Sequence, residues 1–587
     1  VFSIVSPSTA TLTVTSPNGG ESWYSGETYN ITWTSTGSPG NVKIEYTTNN
    51  GTSWIILDNN TPNDGVRAWF IPNTPSTNCK VRITSVSEPS ITDTSDSLFT
   101  IKSILPPQTI INRNTFNFGA TTAGASTQNQ TFYITNGGGG ILNWTISPNQ
   151  SWLSCTPESG TNTGLVSISV NATGLAVGAH TGFLMIKAPG AMNTPITVNL
   201  KVYTPTEATK PFGNYATPKD GVTVSGSIPV TGWALDDVGC ASVKLYRKEG
   251  NTRNYIGVAI FVEGARPDVD AAFPDYPNNY QAGWGYMLLT NFLPNYGNGT
   301  FNIEATVTDE EGNEVSLGTK TIICDNAHAV KPFGAIDTPA QGGTASGSSY
   351  VNWGWVLTPM PNSIPIDGSN INVFVDGVNL GNPAYNVYRS DIASKFPGYA
   401  NSNGAIGYFY IDTTAYSAGT HTIQWVATDS ALNTDGIGSR YFNILNIGSS
   451  DLSPQAGQGG SIGLDTSQIS DITSDTIEPL AISLGYNDYQ ASGLVFPGED
   501  GIFKIRAREL DRIKIKLPEK VSSIKGFQFV DNQLRALPPG FTLDAKNETI
   551  YWQMGMGFSG TYDLLIVVTD LNEQSTKKRI SVQVVAN

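Results

Sequence analysis

The chain has little of what most catalytic and metal-binding proteins are built from. Of its 587 residues only three are histidine, His180, His328 and His421, and four are cysteine, Cys79, Cys155, Cys240 and Cys324. No Cys-x-x-Cys or Cys-x-x-Cys-His spacing occurs, so zinc, iron–sulfur and c-type haem sites have no sequence support. The zincin, nucleophile-elbow and P-loop patterns are missing too. No Ser/His/Asp or Cys/His set assembles within one predicted domain. A glycosidase needs only two carboxylates, but small sandwiches seldom supply the deep cleft that such chemistry uses. The expectation is a protein that is not an enzyme. No apolar run approaches the roughly 20 residues of a membrane-spanning helix. No secretory signal pattern and no long amphipathic helix is visible.

Basic charge is also short. Lys and Arg total 33 against 48 Asp and Glu, a net charge of −15. Such a surface repels phosphate backbones, which argues against nucleic acid as a partner. With so few cysteines the fold does not depend on disulfides. Cys240 and Cys324 fall in one predicted domain and are the one pair left open, as a disulfide or as two buried thiols. Cys79 and Cys155 read as lone core residues.

What remains is abundant Gly, Pro, Thr, Ser, Asn and Val in short alternating runs. "TFNIEATVTD" (300–309) sets Phe301, Ile303, Ala305 and Val307 against polar neighbours, and "YDLLIVVTD" (562–570) does the same. Period-two alternation bounded by turn residues predicts half-buried antiparallel strands. At roughly 100–150 residues per domain the length suits four to six domains. The fold class is therefore all-β, a tandem array of about five Ig-like antiparallel β-sandwiches.

An internal repeat of about 121 residues organises the middle. "KPFGNYATPKDGVTVSGSIPVTGWAL" begins at Lys210 and "KPFGAIDTPAQGGTASGSSYVNWGWVL" at Lys331. "ARPDVDAAFPDY" matches "YRSDIASKFPGY", and "EATVTDEEGN" matches "QWVATDSALN". The expected domains are 10–104, 105–205, the repeats 206–326 and 327–447, a linker at 448–480, and a last domain at 481–587. "VFSIVS" at 1–6 resembles "LFTIKS" at 98–103, so residues 1–9 read as the last strand of a preceding module in a longer array.

Several segments resemble known families. Residues 10–104, with "TSPNGGESWYSGETYNITWTS", resemble the β-sandwich of the Ser-Thr-rich, yeast cell-wall-protein family. Residues 105–205, with Trp152, Leu153, Pro157, Ser159 and Gly160, resemble the BACON family, which implies an association with carbohydrate-active proteins. The repeats are similar to bacterial Ig-like repeats. The C-terminal "LPPGFTLDAKNETIYWQMGMGFSGTYDLLIVVTD" is similar to the cadherin-like putative-Ig repeat. Together they imply a secreted or cell-surface bacterial protein of structural role: a stalk, surface layer, filament or adhesin. Its partners would be copies of itself, other surface proteins or polysaccharide. The alternatives are a carbohydrate-binding region and the accessory part of a larger secreted glycan-active enzyme.

Candidate sites are few. No cofactor is required, and calcium is the one candidate. Thr-Asp-x-x-x-Asn recurs as Asp309 with Asn313 and Asp429 with Asn433, with a looser Asp570 and Asn572. Asp309, Glu310 and Glu311 form the richest oxygen cluster. The plain alternative is that each Asp caps the turn after its strand. Tyr276, Tyr280, Trp54 and Trp69 sit in or beside loops and are the glycan candidates. "GARPDVDAAFPDYPNNY" (264–280) carries three aspartates, but of these only Asp268 recurs in the second copy, as Asp391; Arg266, Phe273 and Tyr276 recur as Arg389, Phe396 and Tyr399. Asp270 and Asp275 align with Ala393 and Gly398. The shared part reads as an Arg–Asp clip at the start of a short helical turn, with Phe273 and Phe396 as core anchors. The non-shared pair is left as a possible cation site of the first copy.

Overall fold

The computed structural model describes residues 10–103, 106–444, 472–475, 478–486, 491–530, 533–571 and 574–585. The sequence-level readings of residues 1–9, of Asn572 and of most of the linker fall outside these. The described chain is a series of β-sandwiches with a few single helical turns; most strand pairs are antiparallel, and parallel pairs such as Thr115–Thr121 with Thr194–Tyr203 and Ile502–Arg508 with Ser575–Val585 occur too.

The first module is a compact unit by itself. Strands Thr11–Ser16, Thr28–Thr36 and Val66–Phe70 form a three-stranded sheet. The facing sheet runs in the order Ser22–Tyr24, Phe99–Lys102, Ser76–Ser85, Val42–Thr47, Ile55–Thr61. Trp23, Trp33, Trp69, Ile44, Cys79 and Phe99 fill the space between them.

From Thr109 onward most of the chain belongs to a second compact unit. Its first sandwich packs a four-stranded sheet on a five-stranded one, Thr115–Thr121, Thr194–Tyr203, Gly178–Lys187, Asn143–Pro148 and Ser159–Thr161 in order.

The two repeats share a plan but not every strand. In the first copy one long strand, Thr252–Phe261, pairs with Cys240–Glu249 and then, through Ile260 and Phe261, with Gly283–Leu289. It joins eight strands into one continuous sheet. In the second copy the same stretch is broken into Val378–Gly381 and Ala384–Val387, which lie in separate sheets. Pro383 stands between them, and a proline has no N–H to continue the ladder.

The C-terminal sandwich is not a separate bead. One sheet contains Ser575–Val585, Gly560–Asp570 and Val521–Val530, and the other contains Leu480–Gly485, Arg512–Lys516 and Thr549–Gln553. Thr473–Ser474 pairs with Thr576 and Lys577, so this part of the expected linker belongs to the sandwich. Val262 and Ala265 of the first repeat and Tyr441 of the second lie in the same buried cluster as Trp552, Met554, Met556, Phe558 and Tyr562. The Tyr441 hydroxyl donates to the Met556 carbonyl at 2.8 Å, and the Tyr562 hydroxyl donates to the Ala265 carbonyl. Arg512 donates to Gln424 Oε1 at 2.8 Å and lies 4.1 Å from the Phe374 ring centroid. The contact is close enough to need glycine: a Cβ on Gly285 would come within 2.6 Å of Met556 Cβ.

The Cys240–Cys324 pairing does not occur, and all four thiols are free. Cys240 pairs across to Asp309, and Cys324 pairs to Gly299 on the same strand. Ten residues at about 3.3 Å each put them roughly 30 Å apart, far beyond the roughly 7 Å a disulfide spans between Cα atoms.

Candidate functional site

Each Thr-Asp hairpin turn is locked by its own aspartate. Asp309 Oδ1 accepts from the Glu311 and Asn313 N–H groups at 3.0 and 2.8 Å, and Oδ2 from the Asn313 amide at 2.9 Å. Asp429 accepts in the same way from Ala431 and Asn433. Asp570 Oδ1 accepts from the Gln574 N–H at 2.8 Å. The turn-capping role follows from the sequence: the Asp ends a strand, and its short carboxylate reaches the orphan donors of the next turn.

The two repeats part at the neighbour of that aspartate. In the second copy Thr358 Oγ1 and Asn362 Nδ2 donate to Asp429 Oδ2 at 2.9 and 3.0 Å. Burial pushes the Asp429 carboxyl up, but hydrogen bonds from Asn433, Thr358 and Ala431 outweigh it and hold it below the usual range. In the first copy the Thr358 position is Asp236. Asp236, Asp309 and Glu311 place carboxylate oxygens within 4.8 Å of one another. Asp236 Oδ2 accepts from the Val238 and Gly239 N–H groups at 2.8 and 2.9 Å. Glu310, expected in the cluster, turns instead to the Gln128 side chain. Asp236 escaped the sequence reading because it lies far along the chain. The signal was present, as "ALDD" in one copy against "VLTP" in the other.

The 264–280 loop is a docking element. Arg266 Nε and Nη2 donate to both oxygens of Asp268, at 2.7 and 2.5 Å. In the second copy Arg389 donates to Asp391 at 2.7 Å and also to Asp337. Both helical turns begin without a side-chain cap, so the Arg–Asp clip at their start acts by ion pairing. Asp270, only 5% exposed, pairs with Arg535 of the C-terminal sandwich. This replaces the cation reading of Asp270: the first copy carries the extra carboxylate because it faces an arginine. Asp275 is exposed.

Three of the four glycan candidates are packing residues. Trp69 is in the core of the first module against Trp23, Tyr46 and Phe99. Tyr280 is 8% exposed, with the Arg113 guanidinium 3.2 Å from its ring centroid. Tyr276 packs edge-on against Phe212 and Phe273. Trp54 is half-buried beneath the Arg82 guanidinium, 4.1 Å away. Their loop positions did not show that other elements cover them. His421 is likewise sealed in the core, 1% exposed, with Nδ1 2.6 Å from Asp376 Oδ2.

The aromatic surface lies elsewhere. A cleft of about 980 Å³ between the repeats is lined by Tyr255, Phe292 and Tyr296, together with Arg247, Lys395 and Arg440. The three rings are 61%, 48% and 56% exposed. Phe292 is held by Trp355 and Phe396 of the second repeat, with Lys395 Nζ 4.9 Å from its ring centroid. Tyr255 and Tyr296 are the freer rings. Asn295 and Tyr296 both hold φ of 53°, which is uncommon for a bulky residue. Their turn, "PNYGNG", is three residues longer than "SAG" in the second copy.

Residues 108–199 match the family model described as the viral BACON domain. No curated protein matches the chain. Among solved structures, a Bacteroides ovatus GH5 xyloglucanase with a XXXG heptasaccharide aligns at 23% identity over 19% of this chain and 25% of that one, TM-score 0.14. The chain thus spans a quarter of that enzyme. A Bacteroides ovatus mixed-linkage glucan locus protein, SGBP-B, aligns at 11% identity over 64% and 71%, TM-score 0.15. Sidekick-1 immunoglobulin domains 1–5 align at 10% identity over 98% and 99%, TM-score 0.14. At these scores the three likenesses carry nothing about function. The segment 108–199 is similar to the BACON family, and the described residues form a tandem array of β-sandwiches.

Proposed function

We propose that the chain is a non-enzymatic extracellular adhesion scaffold whose repeats present a glycan-binding cleft. One observation carries the reading: two exposed tyrosines, Tyr255 and Tyr296, line a large cleft together with three cations. Aromatic faces stack on sugar rings, and concave sites with a few placed polar groups are the usual binding geometry. The cleft's carboxylate, Asp391, is already paired with Arg389, while the chain as a whole carries −15. Arg247 is itself paired with Glu249, and the positive charge of Lys395 and Arg440 against that background favours an acidic oligosaccharide. The C-terminal sandwich, buried across both repeats, supports a scaffold role because it fixes the cleft walls relative to one another. The viral description of the matched BACON model supports the surface of a virus particle, rather than the bacterial envelope, as the place of action.

Glycan-array binding of the whole chain is the test. Acidic glycans should bind, and Tyr255→Ala and Tyr296→Ala should each weaken binding at least about tenfold, the loss of roughly 1.4 kcal/mol. Retention of neutral and acidic binding alike in the double variant would defeat the reading. Absence of any glycan binding by the parent chain would instead favour a second reading, a scaffold that only self-associates, with ordered assemblies visible by electron microscopy.

A further inference from the structure

The repeats offer an internal control for one buried carboxylate pair. Both copies close a hairpin with an aspartate, Asp309 or Asp429, and both bring the corner after the Trp-x-Leu strand against it. In the second copy that corner supplies donors, Thr358 and Asn362. In the first copy it supplies Asp236, an acceptor facing an acceptor. Asp236 is 0% exposed and Asp309 2% exposed. Asp236 Oδ1 has no hydrogen-bond partner, and neither does the buried Oε2 of Glu311. A buried carboxylate oxygen without a donor is costly, and two facing each other are costlier still. Nearby groups do not relieve this. Asp237 adds negative charge and spends its own oxygens on the Thr209 N–H, and Glu310 takes Gln128.

We infer that Asp236, Asp309 and Glu311 form a calcium site that ties the corner after Leu235 to the Asp309–Asn313 turn. The spacing fits. Oxygens on opposite sides of one Ca²⁺, each at about 2.3–2.6 Å, lie roughly 4.6–5.2 Å apart, and the three carboxylates keep within 4.8 Å. Glu311 is half-buried, so the site opens to solvent on its side, and water completes the coordination. The neighbouring sandwich reaches the same corner through Thr127, whose hydroxyl donates to the Val238 carbonyl. Calcium therefore stiffens the junction between the 109–203 sandwich and the first repeat. This inference stands whether or not the cleft binds glycan.

The test is isothermal titration and thermal melting of the whole chain, freed of metal with chelator and titrated with CaCl2, with MgCl2 in parallel. Calcium should bind in the roughly 0.1–1 mM range typical of extracellular modules and raise the melting temperature. Magnesium should do so far less. Asp236→Thr, which installs the second copy's donor, should abolish the calcium response at this site and melt higher than the calcium-free parent. Glu311→Gln, on the exposed side, should weaken calcium about tenfold with the fold intact, and serves if Asp236→Thr fails to fold. An equal calcium response in the parent and both variants overturns the proposal. So does the absence of any response.

Discussion

Arg535→Ala tests the docking of the C-terminal sandwich on the first repeat. Arg535 reaches Asp270, whose side chain is 6% exposed against 26% for the arginine. Asp270 Oδ1 already lacks a partner, so removing the arginine strands a buried carboxylate with no cation beside it. Breaking a fully buried pair costs about 3–5 kcal/mol, and the partial exposure of Arg535 lowers this to about 2–3 kcal/mol. Asp270→Ala should cost under about 1 kcal/mol, because it removes the charge that needs compensating. The second copy carries Ala393 there. In the Asp270→Ala background, Arg535→Ala should then add little, giving a coupling energy above about 1.5 kcal/mol. Hydrogen exchange read by mass spectrometry suits the question, because it measures local opening and needs no two-state assumption for the whole chain. Peptides covering 264–282 and 521–530 should lose protection by roughly 30–150-fold in Arg535→Ala. Additive effects of the two substitutions, or a loss in Arg535→Ala confined to 533–535, would refute the clamp.

Two further outcomes are expected. His421 is buried against Asp376; burial lowers its affinity for a proton, but the charge and hydrogen bond of Asp376 and the Ser417 carbonyl raise the net value. A raised folded-state value means that the stabilisation is full below the free imidazole value of about 6.5 and is lost as pH rises through the folded one. His421→Phe, which installs the residue of the first copy, Phe301 in "TFNIEATVTD" against "THTIQWVATD", should remove that pH dependence from urea midpoints measured from about pH 6 upward. The thiols should behave as unpaired groups: reductant should leave the melting temperature unchanged, and Ellman's reagent should reach the buried Cys79, Cys155 and Cys324 only after unfolding. A reductant-sensitive melt would contradict the free state of Cys240 and Cys324.

The strand-only fold was legible because alternation such as Phe301, Ile303, Ala305, Val307 encodes which face is buried, and that is a local property. The turn-locking role of Asp309 and Asp429 was legible for the same reason, since donor and acceptor lie within four residues. The repeat comparison showed that Asp270 belongs to one copy only. It did not show why, because the reason, Arg535, is 265 residues away. Tyr280 and Trp69 looked exposed because a loop position says nothing about what covers it. Asp236 joins Asp309 only when two corners of one sandwich meet. The cleft tyrosines acquire a shared wall only because the two repeats are packed together. Sequence by itself determined which residues pair with close neighbours and which face of each strand is apolar. Tertiary structure decided which distant charges meet and which aromatics stay open, because those depend on packing between elements far apart in the chain.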